Sequence, residues 1–349
     1  MSGDVDVLVV GGGPVGLAAA VLAAERGMSV AVIERRPEPV DKACGEGLMP
    51  TAVAALHRLG VDPPGVDFAG IRYVAADGRR SAAARFRNGP GRGVRRTALV
   101  DSLARRADAL GVKRCQDDVV RLRSAPGAVL AQLAGSGDLS GTWLLAADGL
   151  HSTVRRWVGG GAPARVRPRY GLRRHFAVAP WTDLVEVHWA GGAEAYVTPV
   201  GPHEVGVAIL TDTRGPDHAA WLGAFPALGA RLRGAEPTTR VLGAGPLEQN
   251  VSRRAVGRVL LVGDAAGYVD ALTGEGVSLG VATAAAAVDC VAADRPDHYE
   301  RLWRDATRRY RLLTRAVLFA AQHDPLRSAV VPAAGLLPPL YGAAVRVLA

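Results

Sequence analysis

The sequence predicts an α/β fold organised on a parallel sheet, and three stretches carry that prediction. "VDVLVV" at 5–10 is a short apolar β-rich run, followed by "GGGPVG" and an alanine-rich helical stretch to about Arg26. "SVAVIER" at 29–35 is a second run with the apolar character of a buried strand. Strand, glycine turn, helix and strand in this order form a βαβ unit, which lays two strands parallel in one sheet. "RVLLV" at 258–262 is a third such run, and it returns the chain to the first sheet after a long excursion.

The elements between these runs follow in order. A helix is expected from about Met49 to Leu59. "GIRYVAAD" and "RSAAARFR" flank Asp77-Gly78 and predict a hairpin. A helix from about Thr97 to Leu110 stops at Gly111. "VKRCQDDVVRLRS", "AVLAQLA" and "GTWLLAADG" predict a strand meander that rejoins the sheet. Between about 165 and 247 the pattern becomes antiparallel, with "EVHWAG", "AEAYVTPVG" and "EVGVAILTD" as strands and one helix near Asp217 to Leu232. Helices are expected over 278–293 and, amphipathic and arginine-rich, over 297–322. The proline-interrupted tail 325–349 is read as a packed cover segment or lid, too broken for a membrane anchor.

Composition narrows the function classes. A chain of 349 residues exceeds one typical core, so a large domain with a second layer is expected. The net charge of +9 comes almost wholly from arginines scattered along the chain, since Lys42 and Lys113 are the only lysines. No basic stripe interleaved with aromatics is present, so nucleic acid is excluded as a partner; the abundance of arginine, alanine and glycine reads first as a GC-rich coding bias, and only second as a field that attracts an anionic cofactor, substrate or carrier. Asp4 and Asp6 break any signal-peptide order, and no apolar run is long enough to span a bilayer. Cys44, Cys115 and Cys290 are far apart, without metal-ligand spacing, so neither a metal site nor a disulfide framework is expected and a cytoplasmic setting fits.

Gly11-x-Gly13-x-x-Gly16 follows the first strand and opens a helix. Gly11 allows the tight turn, Gly13 lets backbone approach a pyrophosphate, and Gly16 lets helix and strand pack closely. Glu34 ends the second strand, where a carboxylate accepts a ribose hydroxyl. Together they predict a dinucleotide site. Three later motifs bear on which dinucleotide: Arg96-x-x-Leu99-x-x-x-Leu103 at a helix start, Asp148-Gly149 with Ser152 and Arg155 after a strand, and Gly263-Asp264 after another.

In this order and spacing the motifs resemble the flavoprotein hydroxylase superfamily, which includes para-hydroxybenzoate hydroxylase-like monooxygenases, geranylgeranyl reductases and flavin-dependent halogenases. The resemblance covers roughly the first 290 residues. It implies an α/β, Rossmann-like FAD-binding domain (1–70, 95–165 and 248–295), an inserted antiparallel β-sheet substrate domain (71–94 and 166–247) and a C-terminal helical segment (296–349). It assigns FAD contacts to Gly11, Gly13, Gly16, Glu34, Arg35, Cys44, Gly45, Arg96, Val119, Asp148, Gly149, Gly263, Asp264, Gly274, Gly276 and Val277. The glycines of "LTGEGVSLG" would let backbone lie against the flavin at a helix start, whose positive potential stabilises an anionic reduced ring.

Two stretches sort the family members. "DKACGEGLMP" resembles the Lys-x-Cys-Gly-Gly-Gly-Leu of the reductases at Cys44-Gly45 and Gly47-Leu48, and "LTGEG" also leans to them, with Ala271 in place of a proline. The halogenases' Trp-x-Trp-x-Ile-Pro segment is missing, which sets that activity aside. Tyr196 and Pro199 stand in register with an aromatic-x-x-x-Pro strand end of the reductases. Leu48, His175, Trp189, Tyr196 and Pro199 are therefore the substrate-facing candidates, and Cys44, Tyr196 and Tyr268 the flavin-side ones; no catalytic residue is assigned. A lone histidine is more often structural, so His188 and His203 carry no role. The expected function is an FAD-dependent oxidoreductase of an apolar or aromatic small molecule of secondary metabolism. An NAD(P)H- and O₂-using monooxygenase is placed slightly ahead of a reductase of carbon–carbon double bonds. NAD(P)H would dock transiently, or a separate flavin reductase or carrier protein would supply electrons. A monomer or dimer without stable membrane insertion is expected.

Overall fold

The computed structural model describes residues 4–163, 167–215 and 217–348. Five strands of an eight-stranded sheet run parallel, in the order Val259–Leu261, Asp138–Ala146, Val5–Val10, Val30–Glu34 and Lys113–Gln116. The aliphatic runs of the first four are buried on both faces, as strands covered by helices must be, while the edge strand Lys113–Gln116 is largely exposed. The helix Pro14–Ala24 is apolar all round because it is sandwiched: Ala18, Ala19, Ala20 and Ala23 let it approach the sheet and the helices Arg96–Ala109 and Gly276–Ala292 closely.

The meander differs from its expected form at one point. "VKRCQDDVVRLRS" is two strands, Lys113–Gln116 on the parallel edge and Val119–Ala125 paired antiparallel with Ala128–Leu133. The break falls at Asp117, whose carboxylate accepts hydrogen bonds from the backbone of Asp118, Gly135 and Ser136 and turns the chain out of the sheet.

A second sheet of seven strands stands beyond the carboxyl edge of the first. Its order is Leu242–Ala244, Tyr170–Phe176, Glu204–Thr211, Ala193–Gly201, Val185–Ala190, Gly70–Ala75 and Ser81–Arg85. The hairpin around Gly78 forms as expected and joins this sheet. All pairings are antiparallel except that of Val185–Ala190 with Gly70–Ala75, where the chain enters the sheet twice in the same direction. A small sheet of Gly47–Leu48, Gly91–Gly93 and Val66–Phe68 bridges the two large ones.

The helix expected near 217–232 is two short ones, His218–Leu222 and Pro226–Arg231, because Pro226 has no N–H to continue the ladder and starts a new helix instead. After Tyr299–Gln322, the tail is more regular than its prolines suggest: Asp324–Leu336 and Pro338–Leu348 are helices. Pro325 and Pro338 stand in first turns, where the missing donor costs no hydrogen bond. Among the described residues no single helix is long and apolar enough to cross a membrane. The segment boundary expected at 165–166 and the last residue of the tail, 349, lie outside the described residues.

Candidate cofactor and substrate site

The glycine turn is built as its spacing requires. Gly11 has φ +108°, and a Cβ there would fall 2.4 Å from the Ala147 carbonyl oxygen. A Cβ on Gly16 would sit 1.8 Å from the Gly11 oxygen, so Gly16 holds helix against strand and does not face the cavity. Gly13 precedes the helix Pro14–Ala24, no side chain caps its N-terminus, and the Arg96 guanidinium lies 3.4 Å from where a Gly13 Cβ would be. Helix dipole and guanidinium together present positive charge where a pyrophosphate would rest. Glu34 accepts hydrogen bonds from the N–H groups of Gly12 (2.8 Å) and Arg36 (3.0 Å), tying the second strand to the turn.

Three other loops reach the same edge. One oxygen of Asp148 accepts from the backbone of Thr153 (2.7 Å) and Val154 (3.0 Å), starting the short helix Thr153–Trp157. Buried Arg155 donates to the carbonyls of Leu150, Asp264 and Ala265 and to Gln249. The spaced motif Asp148, Ser152 and Arg155 is thus a clamp that locks the 148–155 loop to the 263–266 loop. Asp264 stands 3.7 Å from the Lys42 ammonium. Gly263, with φ +59°, packs on Val15 behind the cavity, whereas Gly274, Gly276 and Val277 line it at the start of Gly276–Ala292, whose Glu275 makes no side-chain cap.

These loops surround one elongated cavity of about 350 Å³. Glu34, Arg35 and Val119 lie at one end, Gly11, Gly13, Arg96, Asp148, Gly149 and Asp264 along the middle, and Cys44, Gly45, Leu48, Tyr196 and Tyr268 toward the second sheet. Beyond them the cavity continues between Ile71, Val185, Val187 and Leu210, on one face of that sheet, and Leu247 from the segment that follows its last strand.

Three substrate-facing expectations are corrected. His175 is fully buried behind Glu46, Trp189 is packed edge-on to Tyr73 in the core, and Pro199 backs onto Gly93; none lines the cavity. Pro199 alternates with the cavity-lining Tyr196 and Thr198 and so faces away, whereas His175 shares the face of cavity-lining Arg173 and is covered by the Glu46 carboxylate.

The resemblance turns residues 44–49 and 196–200 toward flavin and substrate, and Glu46 and Thr198 do line the cavity, together with Lys42, Tyr73, His151 and Arg173, to which the sequence reading gives no site role. Glu46 is the most informative. Its φ is +59° and its side chain is 1% exposed. Its carboxylate accepts from the Arg96 backbone N–H (2.9 Å) and pairs with His175 Nε2, with Arg173 behind them joined to Asp41. Its own N–H donates to the Cys44 thiol at 3.4 Å, and Thr198 donates to the Gly45 carbonyl at 2.8 Å. The 44–48 loop is therefore held on three sides. The available signal was Glu46 itself, an acid standing where the reductase motif has glycine, in a loop that uses a left-handed backbone.

The tyrosines differ in availability. Tyr196 donates to the Leu272 carbonyl at 3.0 Å and is already engaged. The Tyr268 hydroxyl has no hydrogen-bond partner among the described residues, and burial pushes its pKa well above the usual phenol value. It stays protonated.

FAD fits this site on features of the chain itself. Asp148 Oδ1 and Arg96 Nε are buried without partners among the described residues, one an acceptor and one a donor, on side chains that line the groove between a glycine turn and an uncapped helix. Fold and site define a flavoprotein with two large sheets, whose cavity runs from a glycine-rich edge to an apolar face. The chain belongs to the family described as "FAD binding domain", whose model matches residues 4–294, and it is an FAD-dependent oxidoreductase of that family. It is 31% identical over 322 residues to menaquinone reductase of Mycobacterium tuberculosis (strain H37Rv), covering 85% of this chain and 78% of the relative. It is 26% identical over 336 residues to digeranylgeranylglycerophospholipid reductase of Methanosarcina mazei, covering 87% and 82%. Among solved structures, the flavin-dependent brominase Bmp2 superposes with a TM-score of 0.83 at 18% identity, covering 99% of this chain and 93% of that one, a likeness of fold alone.

Proposed function

We propose that this protein is a reductase of carbon–carbon double bonds in an isoprenoid-bearing, largely apolar substrate. The observation that carries the reading is the continuation of the cofactor groove into an aliphatic cleft walled by Ile71, Val185, Val187, Leu210 and Leu247. A hydrocarbon chain gains from burial there at roughly 25 cal/mol per Å². The names of two relatives, both reductases, support the same direction and move the balance away from oxygen insertion, the outcome the motifs alone placed slightly ahead.

Bound FAD supplies the two-electron donor; Arg96, Asp148, Asp264 and the backbone of Gly11–Gly13 would hold it. The chain's own residues do the remaining work. The aliphatic walls exclude water from the reacting bond. Tyr268, protonated and unengaged, holds a proton at its hydroxyl at the junction of groove and cleft. Cys44, anchored by the Glu46 N–H, fixes the loop facing it. NAD(P)H docking on the exposed side of the groove, or a separate reductase, would replenish the electrons.

The test is anaerobic. FAD-loaded protein reduced with dithionite should add two hydrogens to a geranylgeranyl chain, or to the prenyl tail of a polyprenyl quinone reoxidised before analysis, read by fragment mass spectrometry. A product that forms only in air and carries one extra oxygen atom would overturn the reading in favour of a monooxygenase.

A further inference from the structure

The C-terminal helices have two unlike faces. Inward, Leu318, Val331, Ala334, Tyr341 and Val345 pack in one core with Ile71, Val185, Val187 and Leu210, the aliphatic wall of the cleft, and the Tyr341 hydroxyl donates to the Ile71 carbonyl at 3.1 Å. Outward, the elbow where Asp324–Leu336 turns into Pro338–Leu348 is exposed and apolar: Leu336 is 80% exposed, Leu337 53% and Leu340 66%. The helices Pro325–Leu336 and Pro338–Arg346 have the joint length and apolarity of a membrane span but meet at 102°. A right-angled pair suits an interface, with its corner inserted, better than a straight crossing.

Charge says which interface. On Tyr299–Gln322, Arg308, Leu312, Arg315 and Phe319 recur at spacings of four, three and four, one stripe of the helix, and all are exposed. Exposed Arg346 follows on the last helix. Arg308, Arg309, Arg315 and Arg346 make no ion pair among the described residues. From residue 306 onward six arginines are set against a single acid, Asp324. Leucines at a corner and unpaired guanidiniums beside them complement an apolar layer beneath anionic headgroups.

We infer that the 325–346 elbow docks this protein on anionic phospholipid bilayers. The corner sits in the headgroup layer, and the helices that dock pack on the same aliphatic side chains that wall the cleft, so the cleft is held near the phase in which an isoprenoid substrate dissolves. The purpose of docking rests on the proposed reaction; the docking itself does not.

The test uses the full FAD-loaded chain and vesicle flotation, with phosphatidylcholine alone or mixed with phosphatidylglycerol. Flotation with the mixed vesicles, at least about tenfold above phosphatidylcholine alone and reduced in 0.5 M NaCl, is expected. The triple variant Leu336→Ser/Leu337→Ser/Leu340→Ser should lose about tenfold or more of this binding while keeping its FAD spectrum and its turnover of a short, water-dispersed substrate. Absence of flotation in the parent protein, undiminished flotation of the variant, or a parent dimer that the variant converts to monomer each overturns the inference, the last by assigning the elbow to a second copy. Protein that floats but reduces no double bond leaves docking intact and removes only the reaction proposed above.

Discussion

The cofactor edge and the substrate face close the two ends of one cavity by different means. At the edge, the backbone itself is the structural material: Gly11 and Gly16 are placed where a single added carbon would collide with a carbonyl oxygen, and the polar side chains mostly bind neighbouring backbone. At the face, aliphatic side chains make the wall, and buried ion pairs between distant segments hold it in place. Arg169 joins Glu194 and Asp270, all almost wholly buried, and Glu46 joins His175 and Arg173. The difference teaches where each region is brittle. The edge fails when a carbon is added, and the face fails when a charge is removed.

The largest effect is expected at the edge. Gly16→Ala puts its Cβ 1.8 Å from the Gly11 oxygen, so strand and helix must separate. A loss of about 5 kcal/mol is expected with complete loss of bound FAD, read by thermal melting and visible absorbance. Yellow protein with an unchanged melting point would show that the edge is softer than its geometry. On the face, Arg169→Met should cost about 4 kcal/mol, because it strands Glu194 and Asp270 in the core. Burial already raises the pKa of both acids, so the variant should be rescued in part at low pH, where they are protonated. Urea melts at pH 5 and 7.5 make that comparison.

Glu46→Gln tests the seam between the two regions. Amide keeps the shape but weakens the contacts to His175 and the Arg96 backbone, for an expected cost of about 2 kcal/mol. Because the 44–48 loop lines the cavity, FAD affinity should fall with stability. A loss of stability with unaltered FAD titration would confine Glu46 to the substrate face.

This contrast also explains what could be read in advance. The edge was legible because its demands are local: Gly11, Gly13, Gly16 and Glu34 lie within one βαβ unit, and Asp148, Ser152 and Arg155 within one turn. The face was legible as a pattern of strands but not as a site. Which of His175, Trp189 and Pro199 reaches the cavity depends on register and on what covers each side chain: His175 shares a strand face with cavity-lining Arg173 and is closed off by Glu46, far away in sequence. Glu46 and its partners Arg173 and His175 are separated by more than a hundred residues, and nothing short-range announces that pairing. The tail shows a third limit: its prolines read as breaks, yet most fall in first turns, where they start helices.

A slower, pH-driven effect separates the regions again. Glu275 sits at the head of Gly276–Ala292, and burial raises its pKa to about 8. Between the ordinary carboxylate value of 4.5 and about 8 the folded state keeps a proton that the unfolded chain has released. Stability must therefore fall as pH rises through that window, by at most about 1.4 kcal/mol per pH unit, and level off above it. Glu275→Gln should flatten this slope between pH 5.5 and 7.5 in urea melts. An equal slope in parent and variant would show that Glu275 is ionised in the fold.

The smallest effect is expected at Tyr196, and its size is informative. The phenol donates one hydrogen bond to the Leu272 carbonyl, so Tyr196→Phe removes a single neutral contact worth about 1 kcal/mol. Tyr268 lines the same end of the cavity with an unengaged hydroxyl, so Tyr268→Phe should cost less stability but more turnover. The two tyrosines thus form a matched pair: one braces the 271–274 turn, the other is free to serve substrate. Equal loss of turnover in both variants, with FAD spectra intact, would mean that bracing and proton supply are not divided between them. The substrate face would then act, like the cofactor edge, chiefly through its shape.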